Sequence, residues 1–85
     1  MKEIKYVIKD EMGIHARPAG LFVKEAAAFP CSVTIEKDGR TVDAKRILGV
    51  MGLGVKCGQE ITLRCDGERE EEAITALSKF LEDNL

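Results

Sequence analysis

Between Lys2 and Lys9 the apolar residues Ile4, Tyr6 and Ile8 alternate with Glu3, Lys5 and Lys9, and Val7 is the one apolar residue on the opposite face. That period of two predicts a strand with one buried side. After a turn at Asp10 to Gly13 the period lengthens. From about Ala16 to Phe29, residues Ala19, Phe22, Val23, Ala26 and Ala27 recur at helical spacing until Pro30 forbids continuation. Alternation returns at Val33 and Ile35, set against Thr34 and Glu36. Asp38-Gly39 then offers the positive-φ pair of a tight hairpin before Arg40, Thr41 and Val42, so these two strands are expected to be antiparallel neighbours.

Around Arg46 to Leu53 a short apolar run, Ile47, Leu48, Val50, Met51 and Leu53, is broken by Gly49 and Gly52 and followed by Gly54. It predicts one or two helical turns. Ile61, Leu63 and Cys65 alternate with Thr62 and Arg64 after a turn at Cys57-Gly58, giving a fourth strand closed by Asp66-Gly67. The last segment opens on Glu68, Glu70, Glu71 and Glu72, acidic charge suited to a helix N-terminus. It continues with Ala73, Ile74, Leu77, Phe80 and Leu81 on one face. The order β, α, β, β, short α, β, α predicts an α+β fold in which helices cover one face of an antiparallel sheet and the other face stays wet.

Eighty-five residues make one domain, spanning 1–85, with little core to spare. With 45% hydrophobic and 33% charged residues, neither disorder nor a disulfide scaffold is indicated. Thirteen basic against fifteen acidic side chains leave a net charge of −2 and no basic stripe, which argues against a nucleic-acid partner. Nothing approaches a membrane span, and the start lacks a secretory apolar core. A cytoplasmic monomer without membrane insertion is expected. Cys31, Cys57 and Cys65 are odd in number and lack metal-ligand spacing, so reduced thiols and no metal or organic cofactor are expected.

The chemistry concentrates in Gly13-Ile14-His15-Ala16-Arg17-Pro18-Ala19-Gly20, which holds the only histidine. Proline is tolerated in a first helical turn because its missing N–H would have had no partner there, which puts His15 at or just outside the N-cap. The free N–H groups of Ala16 and Arg17 and the helix dipole favour bound negative charge, and the Arg17 guanidinium suits phosphate oxygens. His15 has two readings at this point. It is an exposed capping residue with no task, or a nucleophile whose neutral ring nitrogen accepts a phosphoryl group. Arg17 is either a solvated surface arginine or the group that steadies phosphoryl oxygens. The apolar run also divides. Part of it must pack in the core, but a helix this short leaves some of Ile47, Leu48 and Met51 exposed as a docking patch.

Taken together, these residues resemble the HPr phosphocarrier family of the bacterial phosphoenolpyruvate-dependent sugar phosphotransferase system. The resemblance is carried by Gly13-Ile14-His15-Ala16-Arg17-Pro18-Ala19, Val42-Asp43-Ala44-Lys45, Ile47-Leu48-Gly49-Val50-Met51, Leu53-Gly54, and Asp66-Gly67 followed by Glu70-Glu71-Glu72-Ala73. It implies an open-faced β-sandwich, a four-stranded antiparallel sheet with three helices on one face. It also implies a carrier that is not itself an enzyme. Enzyme I phosphorylates His15 on Nδ1 beside Arg17, and the group passes to the IIA domain of a sugar permease. Both partners are expected to dock on the first two helices, at Gly20, Lys24, Ala27, Ile47, Leu48 and Met51.

Three positions depart from the family. Arg46 stands where many members carry a regulatory serine. It cannot accept a phosphoryl ester or supply a hydroxyl cap, so neither modification by HPr kinase/phosphorylase nor a phosphoserine-dependent partnership with a catabolite repressor is expected. Gly20 and Gly52 replace side chains common in the family. These departures leave room for a regulatory paralogue in which phosphorylation at His15 controls binding to a transcription regulator or metabolic enzyme, or for an adaptor that keeps the motif by descent.

Overall fold

The computed structural model describes residues 1–85. Its elements are β1 (Lys2–Val7), α1 (Ala16–Ala27), β2 (Ser32–Lys37), β3 (Arg40–Asp43), α2 (Ile47–Gly52), β4 (Glu60–Asp66) and α3 (Glu70–Asn84). One antiparallel sheet has the strand order β1-β4-β2-β3. Its register places Ile4 opposite Leu63, Leu63 opposite Ile35, and Ile35 opposite Val42. Because side chains alternate along each strand, that row faces the helices as a unit. Phe22 from α1, Val50 from α2, and Leu77 and Leu81 from α3 close over the sheet in one 19-residue core that contains no buried charged or polar residue. The rings of Phe22 and Phe80 lie 5.7 Å apart, joining α1 to α3.

The other sheet face carries charge. Arg64 donates to Glu3 and Glu36, each at 2.6 Å, across three strands. The β2–β3 hairpin turns at Asp38 (φ 52°) and Gly39 (φ 81°), the conformation that its Asp-Gly pair favours.

Element ends differ from the sequence pattern in small ways. β1 stops at Val7, not Lys9, although Ile8 stays buried and exchanges backbone bonds with Gln59 and Gly58. α1 ends at Ala27, two residues short of Phe29. The N–H groups of Ala28 and Phe29 bond three residues back in a tightened last turn. Ala27, read from its spacing as part of the core face, is exposed. The buried stripe is narrower and runs through Ala19, Phe22 and Ala26. α3 begins after Arg69, whose φ of 63° is left-handed and whose guanidinium lies 5.5 Å from the Phe29 ring centre while pairing with Glu72.

Candidate functional site

The loop from β1 to α1 sets the histidine. Gly13 has φ 68°, and a Cβ there would collide with the Val55 carbonyl oxygen and lie 2.8 Å from Lys56 Cα. Only glycine fits so close to another backbone in that conformation. The next residue, Ile14, is buried and donates its N–H to Val55 at 3.0 Å, so the chain is anchored one residue before His15.

His15 is the N-cap of α1, in extended conformation, and its side chain makes no capping bond. Its carbonyl accepts the N–H of Ala19, the first full helical bond. Ala16 and Arg17 therefore present N–H groups without intrahelical partners, and Pro18 has none to present. The imidazole is 34% exposed, and its Nε2 lies 3.8 Å from Asp10 Oδ1. Arg17 is exposed and forms neither an ion pair nor a side-chain hydrogen bond. His15, Arg17, Pro18, Leu21, Asp10 and Asn84 line an open depression of 180 Å³.

Beside this depression α2 meets α1 at Gly20, where an added Cβ would touch Ile47 at 3.7 Å. An alanine methyl would therefore fit there in ordinary contact, without moving either helix. Of the residues expected to dock, Ile47 is 40%, Leu48 84% and Met51 39% exposed, while Val50 and Leu53 fill the core. Lys24 and Ala27 are exposed farther along α1, and Gly20 is half-buried. The structure adds Leu21, half exposed on the wall of the depression. Its signal in the sequence is an apolar residue off the buried stripe. Asp10 had no such signal, because only the folded turn brings it to the ring.

Arg46 caps α2 in position only. Its side chain makes no capping bond and reaches Asp43 at 3.8 Å. At the other end of α2, the Nζ of Lys37 donates to the carbonyls of Leu53 and Gly54 at 3.1 and 3.3 Å, and Arg40 Nη1 donates to Gly52 at 3.5 Å. Cations at a helix C-terminus satisfy its free carbonyls and complement its dipole. All three cysteines are free, with Cys31 and Cys65 buried. Burial, and then the neighbouring Cys31, push the Cys65 thiol up to about 11.

Three helices on one face of an open four-stranded antiparallel sheet, with a histidine at the start of the first, define the class of small HPr-like domains. The sequence profile described as PTS HPr component phosphorylation site matches residues 2–83, and the chain belongs to this HPr family; HPr itself is a phosphocarrier protein and not an enzyme. It is 42% identical to the HPr-like protein Crh of Bacillus subtilis over the full length of both chains. It is 46% identical to Crh of Halalkalibacterium halodurans over 82 residues, 96% of this chain and 98% of that one. Among solved structures, HPr-C-His from Thermoanaerobacter tengcongensis superposes with a TM-score of 0.94 at 47% identity, covering 98% of this chain and 93% of that one. The phosphocarrier protein HPr of Bacillus anthracis gives 0.88 at 41%, covering 94% and 95%. Crh of Bacillus subtilis, a dimer with a swapped segment, gives 0.79 at 42%, covering 100% and 98%. A monomeric state is thus not shared by all of these relatives. No helix of the chain is long and apolar enough to cross a membrane.

Proposed function

We propose that this chain, acting as one domain over residues 1–85 in the cytoplasm, carries a phosphoryl group on His15 between Enzyme I and the IIA domain of a sugar permease. The supporting observation is an accessible imidazole at the start of α1 beside an arginine that has no partner of its own. In the forward step the Nδ1 lone pair attacks phosphorus and the donor's bond to phosphorus breaks. The phosphoryl oxygens meet the N–H groups of Ala16 and Arg17 and the Arg17 guanidinium. The second exchange reverses this, with an acceptor on the IIA domain taking the group and the electron pair returning to Nδ1. Gly20, Lys24, Ala27, Ile47, Leu48 and Met51 form the proposed docking surface, which both partners use in turn. A monomer leaves that surface open. Light scattering tests this point, and a stable dimer at working concentration would overturn it.

Incubation with Enzyme I and phosphoenolpyruvate, read by intact mass and acid lability, tests acceptance. The expected result is one adduct, absent in His15→Ala. No adduct on folded protein with a cognate Enzyme I would overturn the carrier reading. The likeness to two Crh proteins favours a second reading, in which phosphorylation at His15 governs affinity for a regulator or metabolic enzyme. Emptying of the phosphorylated protein by a IIA domain supports the carrier. Retention of the group together with binding to such a target supports the regulator. Arg46 offers no hydroxyl in either case, and a phosphoserine or phosphothreonine near it after treatment with HPr kinase and ATP would refute that expectation.

A further inference from the structure

We infer that Asp10 is a positioning residue for His15. Its carboxylate takes the Nε2–H of the imidazole, leaving Nδ1 unprotonated and keeping a proton on Nε2 while a phosphoryl group is carried. The second half of this inference rests on the carrier reading above; the first half does not.

The carboxylate is held in place before the ring meets it. Asp10 donates its N–H to the Leu85 main-chain oxygen, and its own carbonyl accepts the N–H of Gly13 at 2.9 Å. Its Oδ1 accepts the N–H of Met12 at 2.8 Å, and this same atom faces Nε2 at 3.8 Å. The gap is about 1 Å longer than a charge-assisted hydrogen bond. Rotation of a half-exposed ring can close it, whereas the carboxylate need not move. A neutral imidazole carries a single N–H, and its tautomer is set by the acceptor that one nitrogen finds. Asp10 supplies an acceptor on the Nε2 side, and Nδ1 has none within the protein.

No other element supplies an acidic side chain to the depression. α1 contributes Arg17, and the end of α3 contributes the uncharged Asn84. The Leu85 oxygen is engaged by the N–H groups of Lys9 and Asp10, and the Cys57 thiol faces the Lys9 carbonyl. Asp10 is the one acidic side chain in the depression.

The consequence for transfer follows from the leaving group. When the bond between Nδ1 and phosphorus breaks, its electron pair returns to the ring. With a proton on Nε2 a neutral imidazole departs; without it an imidazolate anion must. A carboxylate that favours the Nε2 proton therefore keeps the phosphoryl group easier to donate as pH rises.

Two measurements test this on the intact chain. Nitrogen-15 NMR of the unphosphorylated protein should show the Nε2–H tautomer dominant in the wild type and losing ground in Asp10→Ala. Asp10→Asn retains an oxygen for the Met12 N–H and so preserves the turn, while removing the charge. After chemical phosphorylation with phosphoramidate, the pH profile of hydrolysis should move down by about half a unit in Asp10→Asn. That makes hydrolysis roughly threefold slower on the alkaline side, with the rates converging in acid. An unchanged tautomer ratio in Asp10→Ala, or an Asp10→Asn profile that superposes on the wild type, overturns the inference. If both effects appear but Enzyme I leaves His15 unmodified, the carrier reading falls and the positioning role stands.

Discussion

Replacing Gly13 by alanine should be the most damaging single-methyl change near the site, and the structure sets the size of the effect. The residue sits at φ 68°, where a Cβ costs about 1 kcal/mol on conformational grounds alone. The new methyl meets the Val55 carbonyl and the Lys56 Cα, both backbone atoms that cannot rotate away. Relieving that overlap requires a backbone shift costing about 1–3 kcal/mol. It also stretches the bond from Ile14 N–H to Val55, worth about 1 kcal/mol. The sum is about 3 kcal/mol or more, which for a domain of this size lowers Tm by about 12–24 °C. Urea unfolding followed by circular dichroism should show a lower midpoint with an unchanged slope. Gly20→Ala is the control: a helical glycine whose added methyl only touches Ile47 Cδ1 at 3.7 Å, it should gain about 0.5–1 kcal/mol. A Gly13→Ala loss below about 1 kcal/mol would refute the packing argument for the loop that presents His15.

The start of α3 should be acid-sensitive. Glu70 accepts the Gly67 N–H at 2.9 Å and pairs with the Met1 amino group at 3.0 Å, which hold its carboxyl below the ordinary value of 4.5. A depressed carboxyl stabilises fully above that ordinary value and loses its contribution as pH falls through the folded one. The wild-type advantage over Glu70→Gln in urea midpoint should therefore shrink in acid, and a pH-independent difference would contradict the assignment. Thiol reactivity should follow burial: iodoacetamide at pH 8 should add once to native protein, at exposed Cys57, and three times in urea. Rapid native labelling of Cys31 or Cys65 would show that the core opens more easily than its packing implies.

Much of the architecture was legible because each strand has one wet face. Alternation at Ile4 and Tyr6, at Val33 and Ile35, and at Ile61, Leu63 and Cys65 marks the helix-facing row directly, and Asp38-Gly39 marks the hairpin. Ends and faces were less legible: the spacing runs on to Phe29 although the last turn tightens at Ala28 and Phe29, and it includes Ala27, which the narrower buried stripe leaves exposed. His15 and Arg17 could be placed by local rules because both belong to one helix start. Asp10 could not. It reaches the ring through a turn whose shape depends on Gly13 lying against Val55 and Lys56, more than forty residues away in the chain. Long-range contacts of that kind leave no period in the sequence.

α2 separates folding from recognition. Six residues with two glycines cannot hold a helix on propensity, and Arg46 gives no side-chain cap. Its stability must come from buried Val50, from Leu53 just beyond it, and from Lys37 and Arg40 on its last carbonyls. None of these is Leu48 or Met51, whose exposed side chains contribute little to the core. Met51→Asp should therefore change Tm by no more than a few degrees, since the aspartate replaces a side chain already 39% exposed. The same charge, placed in the apolar centre of a docking surface, should weaken partner binding by tenfold or more in titration calorimetry. Phosphoramidate labelling of His15 should be unaffected, because the ring and Arg17 lie outside the change. A variant that unfolds would show that α2 needs Met51 for its own packing; one that binds both partners normally would remove the α2 face from the interface.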